Sequence, residues 1–264
     1  MAAFTEKVVW ITGASSGIGE ALSYEFAKQG ASLVLSARRE AELQRVKNNC
    51  PASAGEILVL PLDLSQPATF TAAFEQVIQA LGQVDVLVNN AGFSQRSLTR
   101  DTSTEVDRKV MEVDFFGQTA LSKTVLPSML KRGSGHFVVM SSLTGKFGFP
   151  YRSAYAAAKH ALQGFFETLY LEESRNGIKV TIVNPGGIKT AISENAVTAD
   201  GGRHGVMDPL QAEGMSAERC AKLIVGAVKA GKFELVVGNT KEKMSVFLKK
   251  IFPPLFHKIV RLKP

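Results

Sequence analysis

The 264-residue chain is long enough for one large α/β domain with its own core, and no linker or repeat marks a second domain. Its net charge of +7 is uneven, because seven basic residues and one acidic residue lie within 241–264, and the nearly neutral remainder argues against nucleic-acid binding across the body. Two distant cysteines without histidines at ligand spacing, Cys50 and Cys220, predict neither a disulfide framework nor a metal site and favour a reducing compartment.

The first predicted strand, residues 7–12, is followed at once by a glycine-rich loop and then by a helical pattern that ends near Gly30. This order places backbone N–H groups and a helix N-terminus where a pyrophosphate can bind. The spacing is G-x-x-x-G-x-G, and glycines also form ordinary tight turns, but the position directly after the first strand favours nucleotide binding. The predicted cofactor contacts in this loop are Gly13, Ser15, Ser16, Gly17, Ile18 and Gly19.

The second predicted strand, residues 31–36, leads into Arg38 and Arg39. In a mononucleotide-binding unit the end of this strand meets the adenine ribose, where an acidic residue binds a free 2′-hydroxyl and an arginine suits a 2′-phosphate. No acidic residue stands there, so the two arginines favour NADP(H) over NAD(H). The competing interpretation is that both arginines only begin a solvent-exposed helix.

The third and fourth predicted strands, residues 57–60 and 84–88, end in polar or small residues. The carboxyl ends of parallel strands line the ligand crevice of such sheets. Ordinary turn chemistry would account for each position taken singly. The predicted cofactor contacts here are Asp63, Leu64, Asn90, Ala91 and Gly92.

A chemical set is predicted around the fifth strand, residues 136–140, and the helix over 154–173. Tyr155 and Lys159 are four residues apart and share a helix face. A phenol has a reference pKa near ~10, and a nearby cation favours the phenolate, so the pair suits acid–base work with Ser142 hydrogen-bonding the oxygen that gains charge. Tyr24 and Lys28 have the same spacing, so the pair is informative only together with the strand-end serine and the distant glycine loop.

After the sixth strand, residues 178–183, a proline–glycine loop is predicted to swing across the top of the sheet. A polar, glycine-containing segment at about 191–214 suits a mobile lid over a substrate pocket. A last helix over 216–230 and a last strand over 233–237 complete the domain, which is predicted to span 1–240. The predicted cofactor contacts in the loop are Pro185, Gly186, Ile188 and Thr190.

The tail, residues 241–264, forms a basic amphipathic pattern whose bulky apolar residues lie on one helical face between lysines. Such a helix can lie in the headgroup region of an anionic bilayer, or its apolar face can dock on the protein or on a second subunit. The apolar run at the N-terminus is interrupted too soon for a signal peptide, and no stretch is long enough to span a membrane. A cytoplasmic protein is therefore the expectation, with the tail either in peripheral contact with a membrane or docked on protein.

These motifs, in sequence and order, resemble the classical short-chain dehydrogenase/reductases over residues 7–237, and within them most closely the membrane-associated steroid and lipid carbonyl reductases. The resemblance implies a Rossmann-like, doubly wound α/β domain with a seven-stranded parallel sheet and hydride transfer between a nicotinamide and a carbonyl or alcohol. By position, Tyr155 would be the acid/base, Lys159 would lower its pKa and hold the nicotinamide ribose, and Ser142 would steady the substrate oxygen. It also implies a homodimer or homotetramer through the helices around 115–130 and 154–171.

One position departs from the family pattern, because Asp114 stands where the family usually has an asparagine that supports a water chain to the lysine. An ionised aspartate keeps the backbone carbonyl but cannot donate from its side chain, and its charge could compete for Lys159. The role of Asp114 in that relay is therefore in doubt.

The sequence predicts an NADP(H)-dependent oxidoreductase acting on the carbonyl or secondary alcohol of an apolar, lipid-like or steroid-like substrate. The alternative is a catalytically weak nucleotide-binding protein that works at a membrane or on a partner through its tail. A sugar-nucleotide epimerase on the same fold is disfavoured by the glycine spacing and the short substrate-side region.

Overall fold

The computed structural model describes residues 3–261 and contains a seven-stranded, fully parallel sheet with helices on both faces. The strand order is β3-β2-β1-β4-β5-β6-β9, which confirms the predicted doubly wound sheet. The sheet strands are β1 (Val8–Thr12), β2 (Ser32–Ser36), β3 (Ile57–Val59), β4 (Val86–Asn89), β5 (Gly135–Met140), β6 (Ile178–Pro185) and β9 (Glu234–Val237), while β7 (Ile188–Lys189) and β8 (Met215–Ser216) form a separate parallel pair.

The helices cover the two faces because the central strands are apolar on both sides, as parallel strands in such sheets are. Helices α1 and α8 pack on one face, and α3, α5 and α6 on the other. The helices are α1 (Gly17–Lys28), α2 (Glu40–Asn48), α3 (Phe70–Leu81), α4 (Thr104–Met111), α5 (Gln118–Arg132), α6 (Ser153–Glu173), α7 (Pro209–Ala212), α8 (Ala217–Lys229), α9 (Thr240–Ile251) and α10 (Pro253–Val260).

The helical pattern predicted over 103–131 is a continuous helix with one irregular segment. Helices α4 and α5 are joined by a π-helical turn, Glu112–Gly117, which widens the backbone by one residue per turn. Such turns occur mostly at functional sites because they redirect a side chain. Here the turn carries the fully buried Asp114.

The tail forms two short helices, α9 and α10, that pack against the body of the domain. The Phe256 ring lies 4.7 Å from the Phe147 ring, and Val246 and Val260 join the same apolar cluster. Helix α9 begins with a capping box between Asn239 and Glu242. One face of the tail therefore docks on the protein, as one of the two interpretations of the sequence required.

The segment after β7 lies over the loop that follows β4. A bridge joins Val197 to Gln95, and the Ser103 N–H donates to the Ala199 carbonyl. These contacts fix where the predicted lid sits in this structure. Within residues 3–261, no helix is both long and apolar enough to cross a bilayer.

Candidate active site

A cavity of about 560 Å³ opens at the carboxyl edge of the sheet, where the polar strand ends were expected to meet. It is bounded by the ends of β4, β5 and β6, the start of α6, the segment after β7 and the docked tail. The predicted site residues that line it are Ile18, Asn90, Gly92, Asp114, Ser142, Tyr155, Lys159, Pro185, Gly186, Ile188 and Thr190.

The structure brings Ser142, Tyr155 and Lys159 to this one cavity. Tyr155 and Lys159 lie in the first two turns of α6, with only 8% and 3% of each residue exposed, and the Lys159 Nζ is 5.4 Å from the centre of the Tyr155 ring. A cation held this close to a phenol in a water-poor site favours the phenolate. The arrangement can therefore take up or release a proton at the Tyr155 hydroxyl.

Two consecutive serines, Ser141 and Ser142, directly follow β5, and their hydroxyl groups make different hydrogen bonds. The Ser141 hydroxyl donates to the Lys159 carbonyl at 3.0 Å and accepts from Gln163, so it holds α6 against the strand. The Ser142 hydroxyl accepts only from the backbone N–H of Thr144, at 3.2 Å, among the described residues. Ser142 therefore keeps its own proton for a ligand oxygen in the cavity.

Asp114 and Lys159 form a buried ion pair, with Oδ2 and Nζ 3.1 Å apart. The other carboxylate oxygen accepts from the Phe93 N–H at 2.9 Å. Burial raises the pKa of the Asp114 carboxyl, against the opposing effect of Lys159. Burial is the largest effect on the pKa of Lys159 and lowers it, but the electrostatic effects of Asp114 and Tyr155 and the hydrogen bond to Asp114 together outweigh burial, so that pKa is raised and the ammonium keeps its proton.

The glycine loop is tied to the end of β4 through Asn90. The Asn90 side chain donates to the Thr12 and Gly13 carbonyls at 2.9 and 3.2 Å, which gives it a structural task that sequence reasoning did not assign. Position 92 requires a glycine for a steric reason, because a Cβ there would lie 2.6 Å from an Asp114 carboxylate oxygen.

A cleft suited to a pyrophosphate lies at the N-terminus of α1. Gly17 begins the helix with φ of +59°, and a Cβ at this position would lie 3.2 Å from the Thr190 side chain. The Ser16 hydroxyl caps no helix N–H, so the first N–H groups of α1 and its positive dipole end face outward. These residues, including Gly13, Ser15 and Gly19, fit a nicotinamide dinucleotide whose phosphates sit at this helix end.

The residues predicted to contact the adenosine end lie outside the cavity. Arg38 and Arg39 are exposed after β2, and neither guanidinium group makes a hydrogen bond or ion pair with another described residue, although the charge of Arg38 helps to lower the pKa of Asp63. The Asp63 carboxylate accepts from the N–H and hydroxyl of Ser65, at 2.9 and 2.8 Å. Leu64 is buried in the apolar core under α3 and α5, and Ala91 is partly buried above it.

The sequence did not point to several residues that line the cavity. Among them are Arg96 and Arg152, which come from loops, and several residues of the tail. Glu242 accepts from the Gly187 N–H at 2.6 Å, which fixes the start of α9 over the proline–glycine loop. The position of Arg152, three residues before Tyr155 and just before the predicted helix, was a usable signal, whereas the tail contacts join parts of the chain too distant for any pattern to link. The other tail residues in the lining are Lys241, Ser245, Ile259 and Val260.

Residues 7–201 match the sequence model of the short chain dehydrogenase family. The chain belongs to this family. The match confirms the resemblance drawn from the motifs, and the chain has the nicotinamide-dinucleotide-binding fold of these oxidoreductases. The roles assigned above to single site residues remain predictions.

Other members of this dehydrogenase family are similar to the chain over almost its whole length. The mouse "Dehydrogenase/reductase SDR family member 7B" is 42% identical over 257 residues, which cover 96% of this chain and 80% of the relative. A solved short chain dehydrogenase/reductase from Burkholderia phymatum in complex with NAD superposes with a TM-score of 0.85 at 25% identity, covering 97% and 96% of the two chains. A short-chain dehydrogenase from Streptomyces avermitilis gives a TM-score of 0.81 at 29% identity, covering 96% and 94%.

Proposed function

We propose that the chain is an NADP(H)-dependent reductase of carbonyl compounds, or a dehydrogenase of the corresponding secondary alcohols. The observation that carries the proposal is the convergence of Ser142, Tyr155 and Lys159 in one cavity beside the cleft at the N-terminus of α1. When bound, the cofactor supplies or accepts the hydride. In the reducing direction Tyr155 donates its hydroxyl proton to the carbonyl oxygen, Ser142 donates a hydrogen bond to that oxygen, and Lys159 stabilises the phenolate that remains.

The cavity wall supports an apolar substrate. Beyond the polar set at its base, the lining includes Leu143, Phe147, Phe149, Ile192 and Leu210. Binding of an alkyl or ring system against this wall would remove apolar surface from water, which favours binding by roughly 25 cal/mol for each Å² buried. We therefore propose a lipid-like or similarly apolar ketone as the substrate class.

The preference for NADP(H) is supported by the exposed, unpaired guanidinium groups of Arg38 and Arg39 at the end of β2. A 2′-phosphate would meet there a planar donor group that matches its geometry. None of the three residues directly after the strand, 37–39, is acidic and able to bind a free 2′-hydroxyl.

The experiment offers NADPH and a panel of apolar ketones to the purified protein and follows NADPH oxidation. We expect turnover that Tyr155→Phe lowers by about 10³-fold, while the binding constant for NADPH changes little. The matched control is Tyr24→Phe, since Tyr24 has the same spacing to a lysine but lies on α1. Tight NADPH binding without any Tyr155-dependent turnover would instead favour the nucleotide-binding protein without strong catalysis.

We also propose that the outer face of the tail contacts an anionic bilayer. Its apolar side chains are exposed, for example Phe247 by 59% and Phe252 by 58%, and the flanking lysines match an anionic lipid surface. Ile259 is both exposed and part of the cavity lining, so the mouth of the cavity adjoins this face. An apolar substrate could then enter directly from the membrane surface.

We further propose that two copies of the chain associate through α5 and α6. The π-helical turn before α5 exposes 51% of Phe116, and the end of α6 exposes 72% of Leu171. A partner copy would remove both side chains from water.

A further inference from the structure

Two arginines next to the catalytic tyrosine share a single carboxylate. The Asp208 Oδ2 lies 2.7 Å from the Arg96 Nη2 and 2.8 Å from the Arg152 Nη2. Both guanidinium groups are largely buried, with 7% and 13% of their side chains exposed, and both residues line the cavity. The cluster therefore carries one uncompensated positive charge at the wall of the active site.

The two arginines are not equivalent, because Arg96 has donors on three of its nitrogens engaged by the protein and Arg152 on only one, among the described residues. Its Nε donates to Asp208 at 2.8 Å, and its Nη1 donates to the Ser94 hydroxyl and the Gln95 carbonyl, both at 2.7 Å. Arg96 and Asp208 together explain how the segment after β7 is held in place. Arg152 is not needed for that structural task.

The Arg152 guanidinium makes one hydrogen bond among the described residues, to Asp208, and lies 5.2 Å from the centre of the Phe149 ring. Its other donors have no partner among the described residues, and Arg152 lines the cavity. Burial and the nearby Arg96 lower the pKa of Arg152, and Asp208 and Tyr155 offset this only in part. A guanidinium keeps its charge in proteins, so it would be stabilised by a further anion.

The backbone before Arg152 is held in a costly conformation. Tyr151 has φ of +65°, in the left-handed region that residues other than glycine seldom adopt, and its carbonyl accepts from the Ser97 N–H at 3.2 Å. This turn sets the direction of Arg152 just before α6 begins. Because Arg152 is three residues before Tyr155, the two side chains leave neighbouring positions of the helix start.

The other charges that line the cavity leave this site positive. Lys159 is paired with Asp114, and Glu242 is bound to the Gly187 backbone. Lys241 adds a further cation at the tail side, so the four cations and two carboxylates of the described lining, together with Asp208, leave a net charge of +1.

We propose that Arg152 binds an anionic group of the substrate, a phosphate or a carboxylate placed a few bonds from the carbonyl. This inference rests on the proposed reductase function and narrows its substrate class to amphiphilic ketones with an apolar chain and an anionic end. The apolar wall takes the chain, Tyr155 and Ser142 take the carbonyl oxygen, and Arg152 pairs with the anion.

The test compares two matched pairs of ketones, with initial rates measured for each member. One pair is a long-chain α-hydroxyketone and its phosphate monoester, and the other is a long-chain γ-keto acid and its neutral methyl ester. The wild type is expected to prefer the anionic member of at least one pair by about tenfold or more in kcat/KM, and the preferred pair identifies the anion. Arg152→Gln should abolish the preference, mainly through KM, whereas Arg219→Gln, which removes an exposed arginine on α8, should preserve it. Since Asp208 stays paired with Arg96 in Arg152→Gln, that variant is expected to fold.

A binding measurement separates this inference from the reductase function. Isothermal titration with the phosphate monoester and the carboxylate of long-chain compounds that lack a carbonyl needs no turnover. About tenfold weaker binding to Arg152→Gln than to the wild type supports the anion site even if no ketone is reduced. Equal rates for neutral and anionic ketones together with equal binding to both forms overturn the inference and leave the reductase function standing.

Discussion

The Lys159 ammonium and the Asp114 carboxylate lie 3.1 Å apart in a position closed to solvent, with the Lys159 Nζ 5.4 Å from the centre of the Tyr155 ring. Burial lowers the pKa of Lys159, but Asp114, through its charge and its hydrogen bond, raises it together with Tyr155, and the raising effects prevail. The residue that departs from the family pattern therefore holds the proton of the lysine more firmly. It does so through the π-helical turn that points it at α6.

Asp114→Asn removes this charge, so the pKa of Lys159 should fall and the group should lose its proton at lower pH. We expect the alkaline limb of the kcat/KM profile for ketone reduction to move to lower pH, since reduction needs Tyr155 and Lys159 in their protonated forms. The profile is measured between pH 6 and 11, on the order of the reference pKa values involved. Asp107→Asn, on α4, is the matched control. An unchanged alkaline limb in Asp114→Asn would show that the ion pair does not tune the proton donor.

Arg38→Asp places a negative charge where the 2′-phosphate is expected. The ratio of the Kd values for NADP and NAD should shift toward NAD by about 10- to 100-fold, because charge-assisted hydrogen bonds contribute roughly 1.5–3 kcal/mol. Fluorescence titration with both dinucleotides measures the ratio. Arg219→Asp makes the same charge change on α8 and should leave it unaltered. A ratio that does not move in Arg38→Asp would count against the assignment of the strand end.

His136 makes stability depend on pH. Its Nε2 lies 2.8 Å from the Thr181 hydroxyl, and burial together with Lys179 lowers its pKa to about 4. The unfolded chain binds this proton near pH 6.5 and the folded chain near 4, so stabilisation is present above ~6.5 and is lost as the pH falls toward ~4. Between pH 7 and 5 this loss should be about 2 kcal/mol, measured by urea unfolding. In His136→Gln this loss of unfolding free energy between pH 7 and 5 should vanish. If the variant shows the same pH dependence as the wild type, His136 is not its source.

The tail should bind anionic vesicles through its exposed face. Replacing Phe247 and Ile251 by Asp introduces two charges outside the cluster that docks on the body. Flotation with phosphatidylserine vesicles should be lost, while Leu223→Asp, at an exposed position of α8, should float like the wild type. Binding should also weaken at high salt and with neutral lipid. Equal flotation of the wild type and the doubly substituted protein would remove the membrane proposal.

Association of copies is tested by the molar mass in solution. Light scattering should give a dimer or tetramer for the wild type and a smaller species when Phe116 and Leu171 are both replaced by Lys. A charged side chain in the centre of such an interface costs desolvation that the contact cannot recover. Leu223→Lys serves as the control, and an unchanged mass in the doubly substituted protein would place the interface elsewhere or show that none forms.

Much of the fold followed from local pattern. The parallel strands and the catalytic helix were predicted within a few residues, because buried apolar runs, glycine turns and helical periodicity are properties of neighbouring residues. The meeting of Ser142 with Tyr155 was expected only because consecutive parallel strands end at the same edge of a sheet. The π-helical turn was not predictable, since the sequence around Asp114 has the same helical pattern as the residues on either side.

The amino-acid sequence by itself determined the nucleotide-binding architecture, the family and the chemical set of serine, tyrosine and lysine. Only the tertiary structure decided that Asp114 pairs with Lys159, that Arg152 keeps donors free at the cavity wall, and that the tail closes one side of that cavity. The physical reason is how far apart in the sequence the interacting residues lie. Strands, turns and helices are set by residues near in sequence, whereas ion pairs and packed faces depend on which distant segments the finished fold brings together.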